Sequence, residues 1–275
     1  MQDRVSAVES ARAGELISRD TPEPHVLMLT LSHAAARNTL SEEMLAALQA
    51  AIDEATADSD VRAVVLAATG PAFCAGHDLK QMTKHRADAD GGRAYYTALL
   101  ATCGRMMQSI TASPKPFIAA VHAPAVAAGC QLVAACDLAV ASQAALFGTT
   151  GINNGLFCST PMVPLSRKVM RKQALELLML GTLMPAREAL EAGLVNRVVA
   201  AEELLPTAIG MARVIASKSP AAIAIGKRAF YEQVERPLAE AYDVGTAALI
   251  ENMMHCDAIE GIGAFIEKRK PVWKG

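Results

Sequence analysis

The chain is 275 residues long, 52% hydrophobic and 20% charged, with a formal net charge of −2. A chain of that length buries roughly three quarters of its unfolded surface, which gives a sizeable core and excludes a disordered or fibrous protein. Near-neutral charge and 4% aromatic content offer neither a basic surface nor a stacking platform. Nucleic acid and membranes are therefore not expected partners.

Residues 1–23 carry no clear periodicity and are expected to form an N-terminal extension, ahead of a core over 24–200 and a helical region over 201–275. The first ten residues mix both charges and lack an apolar run, so no secretory signal is expected there. Residues 25–31 (HVLMLTL) predict a buried strand. Ser41 is placed to cap a helix running to about Ala57, with Glu42 and Glu43 in its first turn, where the helix dipole favours acids. Residues 61–67 (VRAVVLA) predict a second strand, broken by Gly70-Pro71. Tyr96, Leu99, Leu100, Cys103, Met106, Met107 and Ile110 recur at helical spacing, and Pro114 and Pro116 end that helix. A strand over 117–121, a short helix over 129–135 and a strand over 138–141 follow. Pro124, Gly129, Gln131 and Asp137 interrupt this apolar stretch, which reads as core elements and not as a membrane span. Alternating helices and continuous apolar strands predict an α/β fold with mainly parallel pairing. From Pro164 the pattern turns helical, with one short strand near 194–199. Such a terminal helical block is expected to pack on another subunit.

The six cysteines show no CxxC pair, and the six histidines no HxH or HExxH group. Buried apolar thiols in a reducing compartment, with no metal, are expected. The expected location is cytoplasmic, or the mitochondrial matrix in a eukaryote. No GxGxxG, GxxxxGK[ST] or GxSxG motif is present. Two segments stand out, each after a strand: Phe73-Cys-Ala-Gly-His-Asp-Leu-Lys80 and Pro124-Ala-Val-Ala-Ala-Gly-Cys-Gln-Leu132. Small residues let a ligand approach the backbone, and a helix N-terminus offers unpaired N–H groups. Two such groups converging on one point form an oxyanion hole. Taken singly, each segment is equally a tight strand-to-helix turn.

Together with Arg37-Asn-Thr-Leu40, FGTTGINNGL and Ala189-Leu-Glu-Ala-Gly-Leu-Val195, these segments resemble the crotonase family, the enoyl-CoA hydratase/isomerase superfamily, from about residue 25 to residue 273. Gly155-Leu-Phe-Cys-Ser-Thr-Pro161 and Lys268-Arg-Lys-Pro-Val-Trp273 resemble its enoyl-CoA hydratase domain-containing branch, which in animals includes mitochondrial members. The resemblance implies a spiral of ββα units followed by C-terminal helices that assemble trimers, often stacked as hexamers. It implies a bound acyl-CoA thioester, as substrate or ligand and not as a tightly held cofactor. The thioester oxygen would lie between the backbone N–H groups of His77 and Ala128. Ala75, His77, Asp78, Leu79 and Lys80 would border the coenzyme A, and Lys268, Arg269 and Lys270 could reach a phosphate.

The chain departs from the family where hydratases carry two glutamates. Gln131 and Gly151 stand at those positions. No Glu occurs between Glu54 and Glu176, and between His122 and Arg167 the only acid is Asp137, expected to hold a turn. Glutamine orients water but cannot take its proton at neutral pH, and glycine has no side chain to do either. Asn153, Asn154, Cys158 and Ser159 remain nearby, with Ser159 a candidate substrate contact. Cys130 and Cys158 are expected to be inert buried thiols. His122 is a candidate base, with a backbone-bonded core histidine the competing explanation. The function expected is an acyl-CoA enzyme of the hydratase/isomerase type, a lyase or isomerase of fatty-acid or acyl-CoA metabolism. It would stabilise a thioester enolate without the usual hydration machinery. The alternative is a weakly catalytic or inactive acyl-CoA-binding or regulatory protein.

Overall fold

The computed structural model describes residues 15–275. Its first strand, β1 (Ile17–Glu23), hydrogen-bonds antiparallel to β2 (Val26–Leu31). The expected extension over 1–23 is corrected here: its last seven residues are an edge strand, and residues 1–14 lie outside the described residues. The polar residues of β1 hid it, because an edge strand can leave most of its side chains in water.

From β2 onward the chain winds in repeated turns. Each turn gives one strand to a large sheet and a short extended piece to a second sheet, then a helix. The first is β2, Leu40 and α1 (Glu42–Ala57). The second is β3 (Ala63–Ala68), Cys74, and the helices α2 (Leu79–Lys84) and α3 (Arg93–Ala112). The third is β4 (Phe117–Val121), β5 (Ala125–Val126) and α4 (Ala128–Ala135). The fourth is β6 (Leu138–Ser142), β7 (Leu146–Gly148) and, after a 3-10 turn, α5 (Met162–Lys168). This is the ββα spiral that the resemblance implied. The large sheet is closed by β9 (Arg197–Val199) in the order β1-β2-β3-β4-β6-β9, parallel from β2 on. The small sheet runs β5-β7-β8, with β8 (Met184–Pro185) antiparallel to β7. The helices α6 (Arg171–Leu180) and α7 (Ala186–Glu191) frame β8.

Strand alternation divides the core in two. Leu27, Leu29, Leu31, Val64 and Leu66 point to the side of α1 and α3. Val26, Met28, Ala63, Val65 and Ala67 point to the opposite side, where α8 (Leu204–Ala216) covers them through Leu204, Ala208, Ala212 and Ala216. The expected boundary at 200/201 is corrected accordingly, because α8 is a core layer of the sheet. Small residues at four-residue spacing place this helix close against the strands. The helices α9 (Pro220–Gln233), α10 (Leu238–Met254) and α11 (Cys256–Ile266) complete the chain. Among the described residues no single helix is long and apolar enough to cross a membrane.

Candidate active site

The site forms where the chain crosses from the large sheet to the small one after β3 and β4. Phe73 and Cys74 donate their amides to the Pro124 carbonyl, and Val126 donates to the Cys74 carbonyl at 3.0 Å. Ala127 donates to Gly148 at 2.8 Å, and Leu40 to Gly76 at 2.8 Å. Residues 76–77 are thereby clamped between Leu40 and the turn entering α4. Gly76 has φ +89°, and a Cβ there would lie 3.0 Å from the Ala127 Cβ and 3.4 Å from the Ala128 nitrogen. A Cβ on Gly129 would lie 2.1 Å from the Cys74 carbonyl oxygen. Both contacts demand glycine and fix how closely the two segments approach.

Ala127 adopts φ 50° and ψ −119°, a strained conformation for a residue with a side chain. Such strain costs on the order of 1–3 kcal/mol and persists only where the surroundings impose it. Here its amide bonds Gly148 and its carbonyl accepts from Gln131. The turn presents the amide of Ala128, the first residue of α4, away from the helix. Neither the Ala128 nor the His77 amide donates a hydrogen bond within the described residues. The two strand-to-helix turns thus bring two unspent donors onto abutting segments, with the positive end of a helix behind one of them.

The His77 imidazole packs against Leu40. Its Nδ1 is 3.3 Å from the Leu40 carbonyl, its Nε2 is sealed without a partner among the described residues, and burial holds its pKa below the usual histidine value. Asp78 caps α2, its Oδ1 accepting from the Lys80 and Gln81 amides. Ala75 donates to the Arg37 carbonyl at 3.1 Å. Leu79 and Lys80 are exposed at the rim.

One helical turn beyond Ala128, Gln131 is 4% exposed and its Oε1 has no hydrogen-bond partner among the described residues. Thr149, beside the Ala127–Gly148 bond, is fully buried with its Oγ1 equally unpaired. Sequence reading missed Thr149 and the strain at Ala127, because neither residue type carries a signal. At Gly151 a Cβ would lie 2.6 Å from the Leu156 carbonyl oxygen and 2.9 Å from the Cys158 sulfur. Cys158, 8% exposed, therefore occupies the space that a side chain on Gly151 would need.

Other candidates are drawn elsewhere. Ser159 is exposed and donates to the Phe157 carbonyl within its own turn. Asn153 ties its loop to the Gly181 carbonyl, and Asn154 is exposed. His122 places Nε2 2.8 Å from the Gly70 carbonyl, while its Nδ1 is buried without a partner among the described residues. Asp137 accepts from the Phe117 amide, Lys227 and Tyr231, which is a structural role. Arg269 is held by Glu260 and Glu267, while Lys268 and Lys270 are exposed. His255, Cys256 and Asp257 cluster closely enough to hold a metal ion. There His255 Nδ1 caps α11, however, and Asp257 accepts from Ser219 and the Lys274 amide.

Comparison with known proteins agrees with this architecture. A family model described as Enoyl-CoA hydratase/isomerase matches residues 22–275. The mitochondrial enoyl-CoA hydratase domain-containing protein 3 of Homo sapiens is 44% identical over 245 residues, covering 89% of this chain and 79% of the relative. The crystal structure of an enoyl-CoA hydratase from Mycobacterium smegmatis superposes with a TM-score of 0.89 at 50% identity, covering 94% of this chain and 98% of that one. The crystal structure of the human domain-containing protein 3 gives a TM-score of 0.88 at 43% identity, covering 94% and 100%.

Proposed function

Because the chain belongs to the enoyl-CoA hydratase/isomerase family, we propose that it binds an acyl-CoA thioester and polarises the thioester carbonyl between the amides of His77 and Ala128. The observation that carries this reading is the pair of unspent amides on segments locked together at Gly76 and Gly129. Charge drawn onto the thioester oxygen stabilises an enolate. Fixed donors do this without reorganising, and one such donor contributes about 3 kcal/mol in other enzymes. Ala75 to Lys80 border the coenzyme A, with exposed Lys80 free to meet a phosphate. Thioesters of this kind belong to fatty-acid and acyl-CoA metabolism.

The chemistry is not the usual two-carboxylate hydration. Gln131 cannot accept a proton, and Gly151 has Cys158 where a carboxylate would stand. Reactions that need enolate stabilisation more than a paired acid and base, such as double-bond isomerisation, suit the site better. The lack of carboxylates also favours a second reading, an acyl-CoA-binding protein with little turnover. Titrating crotonyl-CoA in a calorimeter and analysing the mixture for products tests both. Saturable binding with hydration absent or slow is expected. Rapid formation of 3-hydroxybutyryl-CoA would overturn the argument from the missing carboxylates, and no binding would overturn the site.

A further inference from the structure

We infer that Cys158 is the proton-transferring group of this site, exchanging the proton on the carbon next to the thioester carbonyl. The inference rests on the acyl-CoA reading and gives its chemistry a residue. Three observations converge between the first turns of α4 and the loop after β7. The Cys158 sulfur lies 2.9 Å from where a Gly151 side chain would begin. Gln131, 4% exposed and one turn from the Ala128 amide, has an unpaired Oε1. Thr149, fully buried beside the same turn, has an unpaired Oγ1. Leaving a buried polar atom unpaired forfeits its hydration with nothing in return. Two such atoms on residues next to the turn that enters α4 mark a place built for a polar occupant, and of the two thiols there Cys158 is the less buried and the one set in the Gly151 side-chain position.

The step balances without a co-reactant. The Cys158 thiolate takes the α-proton, the C–H pair becomes the enolate double bond, and the negative charge moves to the oxygen held by the His77 and Ala128 amides. The thiol so formed exchanges its proton with solvent, and return of a proton from sulfur to carbon restores the thioester. Gln131 and Thr149 act as positioning residues. The titratable group facing Cys158 is Cys130 on α4; β7 and the turn after it carry none, and Arg171, Lys172 and Glu176 of α6, which packs on that turn, are exposed. On α5, Arg167 is turned to Glu235 and Lys168 to Tyr231. Burial raises the Cys158 thiol above the usual cysteine value. The reactive thiolate is therefore scarce at neutral pH, and the rate gains about tenfold per pH unit until the thiol titrates.

The test uses butyryl-CoA, which has no double bond to hydrate. Deuterium uptake at its α-carbon in D2O is followed by mass spectrometry, and binding by calorimetry, for the wild-type protein, Cys158→Ala and Cys158→Ser. The wild type should bind and exchange, with a rate that climbs through the neutral range. Both variants should bind within about threefold and lose exchange by roughly 100-fold or more. The serine variant keeps nearly the original volume, so a folded comparison remains if alanine does not fold. Undiminished exchange in the variants, a pH-independent rate, or binding without exchange in the wild type overturns the role of Cys158. Absence of butyryl-CoA binding in the wild type overturns the acyl-CoA reading itself, and this inference with it.

Discussion

Gly129 has no room for a methyl group, and that single contact controls the site. Adding a Cβ drives it to 2.1 Å from the Cys74 carbonyl, so the segments carrying His77 and Ala128 must separate. Gly129→Ala should fold with a loss of about 1–3 kcal/mol and weaken acyl-CoA binding at least tenfold, measured by denaturant titration and calorimetry. Gly151 behaves differently. Restoring a glutamate there meets Cys158 and the Leu156 carbonyl, so Gln131→Glu with Gly151→Glu should destabilise the loop and leave crotonyl-CoA hydration low. A rapid hydratase from that double variant would contradict the account of the crowded loop. The His77 side chain gives a pH signature. Its folded pKa is lowered by burial, so the unfolded imidazole protonates first. The stability from neutral His77 is present above about pH 6.5 and is lost as pH falls from there through the folded value. Denaturant titrations at about pH 7.5 and about pH 5.5 should differ by less in His77→Asn than in the wild type.

At the scale of elements, the buried tie between α9 and the sheet matters most. Lys227, 7% exposed at its side chain, pairs with Asp137 at 2.8 Å and also donates to the carbonyls of Ile110 and Lys115. Asp137 also accepts from the Tyr231 hydroxyl and the Phe117 amide. Removing the cation leaves a buried carboxylate unpaired, which typically costs about 3–5 kcal/mol. Lys227→Met should therefore lower the thermal midpoint by roughly 10 °C, and adding Asp137→Asn should recover part of that loss. The elements themselves differed in how far the sequence revealed them. β2, β3, β4 and β6 are buried on both faces and read as continuous apolar runs. β1 did not, because ISRDTPE at a sheet edge is mostly polar. β5 and β8 span two residues and β7 three, too few for any periodicity. α8 was legible as a helix, but its Ala208, Ala212 and Ala216 face gave no hint that it covers the sheet. In the site, the glycine-bearing motifs were legible because close approach selects glycine. The strain at Ala127, the unpaired Thr149 and the Cys158–Gly151 contact arise only from residues brought together by folding.

For the whole molecule, the C-terminal helices leave a large apolar surface uncovered in one chain. Tyr242, Leu249 and Ile250 on α10 are exposed, as are Met254 at 78% and Phe265 of α11 at 85%. A soluble chain rarely leaves so much apolar area in water unless another surface covers it. The family resemblance implies that trimers, or hexamers of two stacked trimers, cover it, so light scattering should read three or six copies of the 28.9 kDa chain, roughly 87 or 173 kDa. A stable monomer at micromolar concentration would contradict it.

The central claim is that two backbone amides grip a thioester oxygen. Difference infrared spectroscopy with acetyl-CoA labelled with 13C at the thioester carbonyl reads that contact directly. The account predicts that the carbonyl stretch of bound ligand shifts to lower frequency than in free acetyl-CoA, and that His77→Pro, which lacks the amide hydrogen, loses most of the shift. A bound thioester that absorbs at its free-solution frequency would contradict it.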